Sequence, residues 1–277
     1  MGRPAVMAVV NRTPDSFYPA ARSHDLGAAL DAVERAVAEG ADLVDVGGVR
    51  AGRGPEVGVA EEIDRVVPVV QRVRARFPDL PVSVDTWRAE VAEVALAEGA
   101  DLVNDTWAGH DPRLAQVAAS YGAGLVCSHT GGLPPRTDPV RPVYPDGVVA
   151  DVVAALAAAA ARAVAAGVEP RSVLVDPTHD FGKTTWHSLE LTRATAALAG
   201  LGHPLLMALS RKDFVGESLA LPVDDRLEGT LAATAVATWL GASVFRAHDV
   251  RATRRVVEMV AVLRGDLLPA RVVRGLD

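Results

Sequence analysis

Short apolar runs rich in Val and Leu alternate along this chain with longer stretches whose apolar residues recur at helical spacing. The runs predict strands at 5–10, 42–46, 82–85, 101–104, 123–128, 172–176, 204–209 and 243–247. The longer stretches predict helices at about 26–39, 58–76, 87–98, 112–121, 147–167, 187–200, 225–240 and 250–264. Strand followed by helix, eight times over, is the pattern of a parallel sheet wrapped by helices. Glu39-Gly40-Ala41-Asp42-Leu43 and Glu98-Gly99-Ala100-Asp101-Leu102 repeat one punctuation, a Gly that ends the helix in a left-handed residue just before the next strand. The expected fold is therefore α/β, a (β/α)8 TIM barrel, as a single domain over residues 1–277. That length suits a barrel of about 250 residues.

The same pattern puts a set of polar residues just past the strand ends: Asn11, Asp45, Asp85, Asn104, His129, Asp176, Lys212, Arg246 and His248. In such a barrel the carboxyl ends of the strands converge on one rim, so positions scattered in sequence meet in space. Asp85, Asn104 and Asp176 would set two carboxylates and an amide around the mouth, which suits a flat heterocycle rich in N–H donors and ring acceptors. Any one of them alone could equally cap a helix. Ser210-Arg211-Lys212 and Arg246-Ala247-His248-Asp249 follow the last two strands, where barrels often hold phosphate. A guanidinium fork, an ammonium and an imidazole can grip diphosphate oxygens, and surface ion pairing is the plainer use of the same residues. Arg246 and His248 are two apart and should point the same way. Asn11 could give a carbonyl oxygen to Mg2+ bound with a diphosphate.

Composition narrows the classes. Apolar residues make up 49% of the chain and aromatics 4%, so the core must be built from Ala, Val and Leu. A net charge of -7 argues against nucleic acid as a partner. Cys127 is the one cysteine, which excludes a disulfide framework and a multi-cysteine metal site, and its apolar neighbours suggest a buried structural thiol. The Ala-rich run 149–167 is broken by Asp151 and Arg162, and the chain reads as a soluble cytoplasmic protein with no membrane partner.

The motifs now form a recognisable set. Asn-x-Thr-Pro-Asp-Ser-Phe at 11–17, Asp-x-Gly-Gly at 45–48, Ser-x-Asp-Thr at 83–86 and Asn-Asp at 104–105 come first. Asp-Pro with Phe-Gly-Lys at 176–183, Ser-Arg-Lys at 210–212 and Arg-x-His-Asp at 246–249 follow. In order and spacing they resemble the dihydropteroate synthase family over essentially the whole chain. The resemblance implies a transferase of folate biosynthesis that joins a dihydropterin methyl diphosphate to p-aminobenzoate and releases pyrophosphate. It implies that Asp85, Asn104, Asp176 and Lys212 bind the pterin, with Lys212 and Asp85 closest to catalysis. Arg246 and His248 would hold the diphosphate and Asn11 the Mg2+, while Arg50, Arg53, Phe181 and Asp213 fall in the acceptor region. His129 and Lys183 match family positions as well. It also implies a homodimer through the late helices, which carry Trp239-Leu240 and Val256-Val257.

Four departures fall together. Where the family continues Glu-Ser-Thr-Arg-Pro-Gly after Asp-x-Gly-Gly, this chain has Val49-Arg50-Ala51-Gly52-Arg53-Gly54, and Arg50 or Arg53 would have to restore the charge. Where it has Gly-Ile-Gly, this chain has Thr178-His179-Asp180. Where a Ser follows Ser-Arg-Lys and faces the carboxylate of p-aminobenzoate, this chain has Asp213. Two carboxylates a few Å apart repel by on the order of 3–4 kcal/mol at an effective dielectric near 20. Ser128-His129 replaces the usual Met-His, a further change and one in the pterin pocket wall. The departures cluster on the acceptor side, and the alternative expectation is a paralogue that binds a pterin-like or phosphorylated ligand with a different acceptor or none.

Overall fold

Period-two alternation along the strands splits the apolar residues of this molecule into two cores. In the computed structural model, which describes residues 2–12, 25–52, 54–137 and 143–274, one parallel sheet contains eight strands. They are β1 (Ala5–Asn11), β2 (Leu43–Gly47), β3 (Val82–Asp85), β4 (Leu102–Asp105), β5 (Gly124–Ser128), β6 (Val173–Asp176), β7 (Leu206–Met207) and β8 (Val244–Ala247). The order is β6-β5-β4-β3-β2-β1-β8-β7. A bridge between Val175 and Leu205 joins β6 to the approach of β7, helped by the Val175 N–H to the Pro204 carbonyl at 3.0 Å, and so closes the barrel. Position 13–17 of the first motif and Arg53 lie outside the described residues.

Met7, Leu102, Val126, Leu206, Ala208 and Val244 form the inner core, a plug at the barrel's centre. Val6, Ala8, Val44, Val46, Val82 and Val84 belong to the larger outer core, beneath the helices. Two residues further along five of the strands, the inner face turns polar: Leu43 gives way to Asp45, Leu102 to Asn104, Val126 to Ser128, Leu174 to Asp176 and Val244 to Arg246. A pleated strand sends residues i and i+2 to one side, so a polar residue two past a plug residue must stand above the plug.

The outer ring comprises α1 (Leu26–Ala38), α2 (Val59–Arg76), α3 (Ala89–Ala97), α4 (Leu114–Ser120), α5 (Val148–Ala165), α6 (Thr185–Arg193), α7 (Thr195–Ala199), α8 (Asp213–Leu219), α9 (Leu227–Trp239) and α10 (Val250–Arg264). Gly40 and Gly99 take φ of 94° and 103°, as the punctuation predicts. Asp25 caps α1 by accepting the Ala28 N–H at 2.7 Å. α5 is long and apolar enough to cross a membrane by length and composition. In this fold Val148, Val152, Leu156, Ala160 and Ala163 form a buried stripe that packs on β5 and β6. Cys127 is buried, and burial pushes its thiol up to about 12, so it is inert.

Three elements differ from expectation. The helix predicted over 187–200 starts earlier and breaks at Ala194 into α6 and α7. There the Thr195 hydroxyl donates to the Thr192 carbonyl at 2.7 Å and the Thr192 hydroxyl to the Ser188 carbonyl at 2.9 Å, side-chain bonds that compete with the backbone ladder. The strand predicted over 204–209 keeps ladder pairing only at Leu206–Met207. Beyond it the chain turns through Arg211 at φ 55° and delivers Lys212 to the start of α8, a helix too short for periodicity to announce.

Candidate active site

The polar layer above the plug is a closed set of contacts centred on Asp45. This carboxylate is fully buried, and it accepts from Ser83 Oγ at 2.6 Å, Asn104 Nδ2 at 3.1 Å and Arg246 Nε at 2.6 Å. Arg246 also gives Nη2 to Asp85 Oδ2 at 2.8 Å, while the Thr106 hydroxyl donates to Asp85 Oδ1 at 2.9 Å. One guanidinium from β8 thus reaches carboxylates on β2 and β3. Burial pushes Asp85 up to about 7, the Asp45 charge adds to that push, and Arg246 opposes it. Near neutral pH Asp85 is divided between its protonated and ionised forms. Burial also raises Asp176, against the charge of Lys212 and the Thr178 N–H that it accepts at 2.7 Å. Carboxylates that can donate or accept and an amide between them can read the edge of a heterocycle.

Gly47 keeps this layer open. A Cβ there would stand 3.2 Å from Asn11 Oδ1 and 3.7 Å from Asp85 Cβ, so the missing side chain lets Asn11 and Asp85 approach each other. His248 meets Ser210 Oγ through Nδ1 at 3.0 Å, and its own N–H donates to the same oxygen at 3.2 Å. Burial, with Arg246 nearby, pushes His248 down to about 4. Arg211 points away from the mouth and forks onto Asp249 at 2.9 and 3.0 Å, a structural pair. Among the described residues no three His, Cys, Asp or Glu side chains converge as a metal site.

The other side of the mouth is made by loops. Lys212 Nζ donates to the His179 carbonyl and stands 4.7 Å over the Phe181 ring, which meets the edge of Trp107 at 5.4 Å and 71°. Burial lowers the Lys212 ammonium, against the charges of Asp180 and Asp176. The backbone from 178 to 182 is left-handed at every second residue, with φ of 51° at Thr178, 71° at Asp180 and 60° at Gly182. Lys183 braces that loop from behind, giving Nζ to the carbonyls of His129, Thr178 and Phe181 at 2.8, 3.1 and 2.8 Å. His179 is buried against Thr192, at 3.0 Å from its hydroxyl, and His129 meets Asp151 at 2.8 Å, so neither ring belongs to the polar layer. Asp213 is largely exposed and paired to Arg226 at 2.8 Å. That pair offsets part of the Asp213 charge.

The structure brings Asp85, Asn104 and Arg246 together with Asp45, and Asp176 and Lys212 interact across the mouth. Arg50 makes no hydrogen bond among the described residues, and Arg53 lies outside them. Two residues outrank their standing in the sequence. Asp45 is the hub of the layer, and its signal was its place two residues after Leu43. Asp180 is the other: its Oδ2 accepts the N–H of Asp213 at 2.7 Å, with a longer contact to the N–H of Phe214 at 3.4 Å. Arg136 is a residue the sequence did not single out, and it ties the loop after β5 to the loop after β2 through the carbonyls of Gly52 and Pro55, at 3.2 and 2.8 Å.

Comparison with known proteins places this geometry. The family described as pterin binding enzyme matches residues 7–248. The chain is 58% identical to a Mycobacterium leprae protein named inactive dihydropteroate synthase 2, over 99% of this chain and 95% of that one. It is 36% identical to dihydropteroate synthase of Bacillus subtilis, over 92% of this chain and 87% of that one. The solved structure of Yersinia pestis dihydropteroate synthase with a sulfonamide drug complex superposes with a TM-score of 0.89 at 34% identity, covering 96% of this chain and 95% of that one.

Proposed function

From the premise that this chain belongs to the pterin-binding enzyme family, we propose that it is a dihydropteroate synthase-like paralogue that has lost efficient coupling to p-aminobenzoate. Its barrel mouth, part of one domain over residues 1–277, would still take a pterin-type heterocycle. The observation that carries this reading is the unequal state of the two sides: a connected network of Asn104, Asp45, Arg246 and Asp85, opposed to a remodelled acceptor side at 178–180 and 213.

The parent reaction sets the demands. The amine nitrogen of the acceptor attacks the methylene carbon of the pterin, the C–N bond forms as the C–O bond breaks, and the diphosphate leaves with the electron pair while the amine loses a proton. Asp85, Asn104 and Asp176 would bind the ring edge. Asp85 suits that role because a group near 7 can hold or accept a ring proton at neutral pH. A ring N–H that reaches Asp85 Oδ2 takes the place of Arg246 Nη2 and frees that edge of the guanidinium for the leaving diphosphate. Lys212 would stand between the pterin and the acceptor, and His248 would donate to the diphosphate. Asn11 Oδ1, beside Asp85, is a suitable single protein oxygen for a Mg2+ held otherwise by diphosphate and water, and that ion would neutralise the leaving group.

Calorimetry with the dihydropterin methyl diphosphate, paired with an assay of p-aminobenzoate incorporation, tests the reading. Binding with negligible incorporation is expected. Turnover in the ordinary range of about 1–1000 per second would overturn the loss of coupling, and no pterin binding would overturn the pterin site. We further propose a cytoplasmic homodimer. Val236 and Trp239 on α9 and Met259 and Leu263 on α10 are exposed by 48, 57, 55 and 63%, and these two helices pack side by side, so a second copy could cover one apolar face. A monomer mass by light scattering would remove that part.

A further inference from the structure

Asp180 holds a left-handed backbone conformation, at φ 71°, which Asp tolerates better than most L-residues. Both of its oxygens are engaged. Oδ2 accepts the Asp213 N–H at 2.7 Å, with the longer contact from Phe214, and Oδ1 accepts Ser188 Oγ at 3.1 Å. The Asp180 N–H donates to the same Ser188 oxygen at 3.1 Å, so the carboxylate is fixed from both sides. It also faces Lys212, whose charge it answers together with Asp176. Adjacent to it, Phe181 and Trp107 make an aromatic wall with Lys212 on the Phe181 face. The charged groups on this side are thus Asp176, Asp180 and Asp213 against Lys183, Lys212 and Arg226. Nothing there remains in excess to attract an anion.

We infer that Asp180 is a specificity-determining residue: a fixed internal carboxylate on the loop side of the mouth, which makes the site select an uncharged arylamine over a carboxylated one as second substrate. This rests on the reading of the mouth as a two-substrate pterin site. The aryl ring packs on Phe181 and Trp107, and its far end meets a carboxylate that repels an acid and welcomes an N–H donor. Fixing Asp180 in the fold also explains why Asp213 need not act on the acceptor directly, since Arg226 holds it.

The experiment compares p-aminobenzoate with its isosteric amide, p-aminobenzamide, by calorimetry on the full chain, with and without the dihydropterin methyl diphosphate. Wild type is expected to bind the amide at least about tenfold more tightly than the acid. In Asp180→Asn the preference should fall to within about threefold, because the charge goes and the shape stays. Asp180→Gly, which adopts positive φ without strain, should shift the preference the same way and serves as the second variant should the first not fold. A preference unchanged in the folded variants overturns the inference and leaves Asp180 as a loop brace. A wild type that binds the acid as well as the amide, or neither compound, overturns it without any variant. Failure of the pterin titration alone instead overturns the proposed function, because the acid-to-amide ratio is read separately.

Discussion

The two sides of the mouth are built by different means. On one side Asp45, Asp85, Asn104 and Arg246 stand on strands, each fixed by pleat and register above a plug of apolar side chains. On the other, Asp180, Phe181 and Lys212 stand on loops after β6 and β7, where left-handed residues and crossed carbonyl contacts set the geometry. Strand positions can change little without losing the barrel, whereas loop positions can take new side chains on an unchanged scaffold. The departures from the synthase pattern at 178–180 and 213 lie on the loop side.

Four substitutions would break or sharpen that contrast, taken from the largest expected effect. Arg246→Met removes the cation shared by Asp45 and Asp85 and leaves a buried charge uncompensated, so it should cost about 3–5 kcal/mol in denaturant unfolding. A loss below about 1 kcal/mol would mean the strand side is not an electrostatic unit. Gly182→Ala should be nearly as damaging, about 3 kcal/mol, because its Cβ would lie 2.1 Å from the Thr130 carbonyl oxygen at φ 60°. That crossing joins the loops after β5 and β6, and an unchanged unfolding midpoint would show that the loop side tolerates backbone movement.

Asp85→Asn addresses pH. The carboxyl titrates near 7 in the folded chain and near 3.8 as a free group, so between those values the folded state holds a proton that the unfolded state releases. Its contribution to stability is fully present below about 3.9 and is lost as pH rises through 7, at up to about 1.4 kcal/mol per pH unit. The variant should lack this slope in unfolding midpoints compared at pH 5 and 7.5. Equal slopes would mean that Asp85 is ionised throughout. Asp213→Ser should have the smallest effect, below about 1 kcal/mol, since it removes only an exposed pair with Arg226. It should also leave the preference between p-aminobenzoate and its amide where wild type has it, in contrast to Asp180→Asn.

Legibility followed the same division. Short apolar runs rich in Val and Leu marked the strands and put Asp85, Asn104, Asp176 and Arg246 at their ends, because buried parallel strands read as continuous apolar runs and the first polar residue marks where each run stops. The Arg246 partners were not legible, since Asp45 and Asp85 are 201 and 161 residues away and only closure of the barrel brings them within reach. Replacement of the family glycines by Thr178 and Asp180 was visible as a change, yet its meaning was not. Whether such a backbone keeps its left-handed turns depends on bonds to Ser188, Asp213 and Phe214, which come from other elements.

The sequence by itself determined the barrel, its family and the identity of the polar residues at the rim, because local periodicity and turn chemistry suffice to define βα units and their ends. Only the tertiary structure decided which charges neutralise one another. It paired Arg246 with two carboxylates, drew Asp213 outward to Arg226 and set Asp180 beside Lys212. Electrostatic interactions depend on distance and burial, and both are properties of the closed barrel and not of the order of residues along the chain.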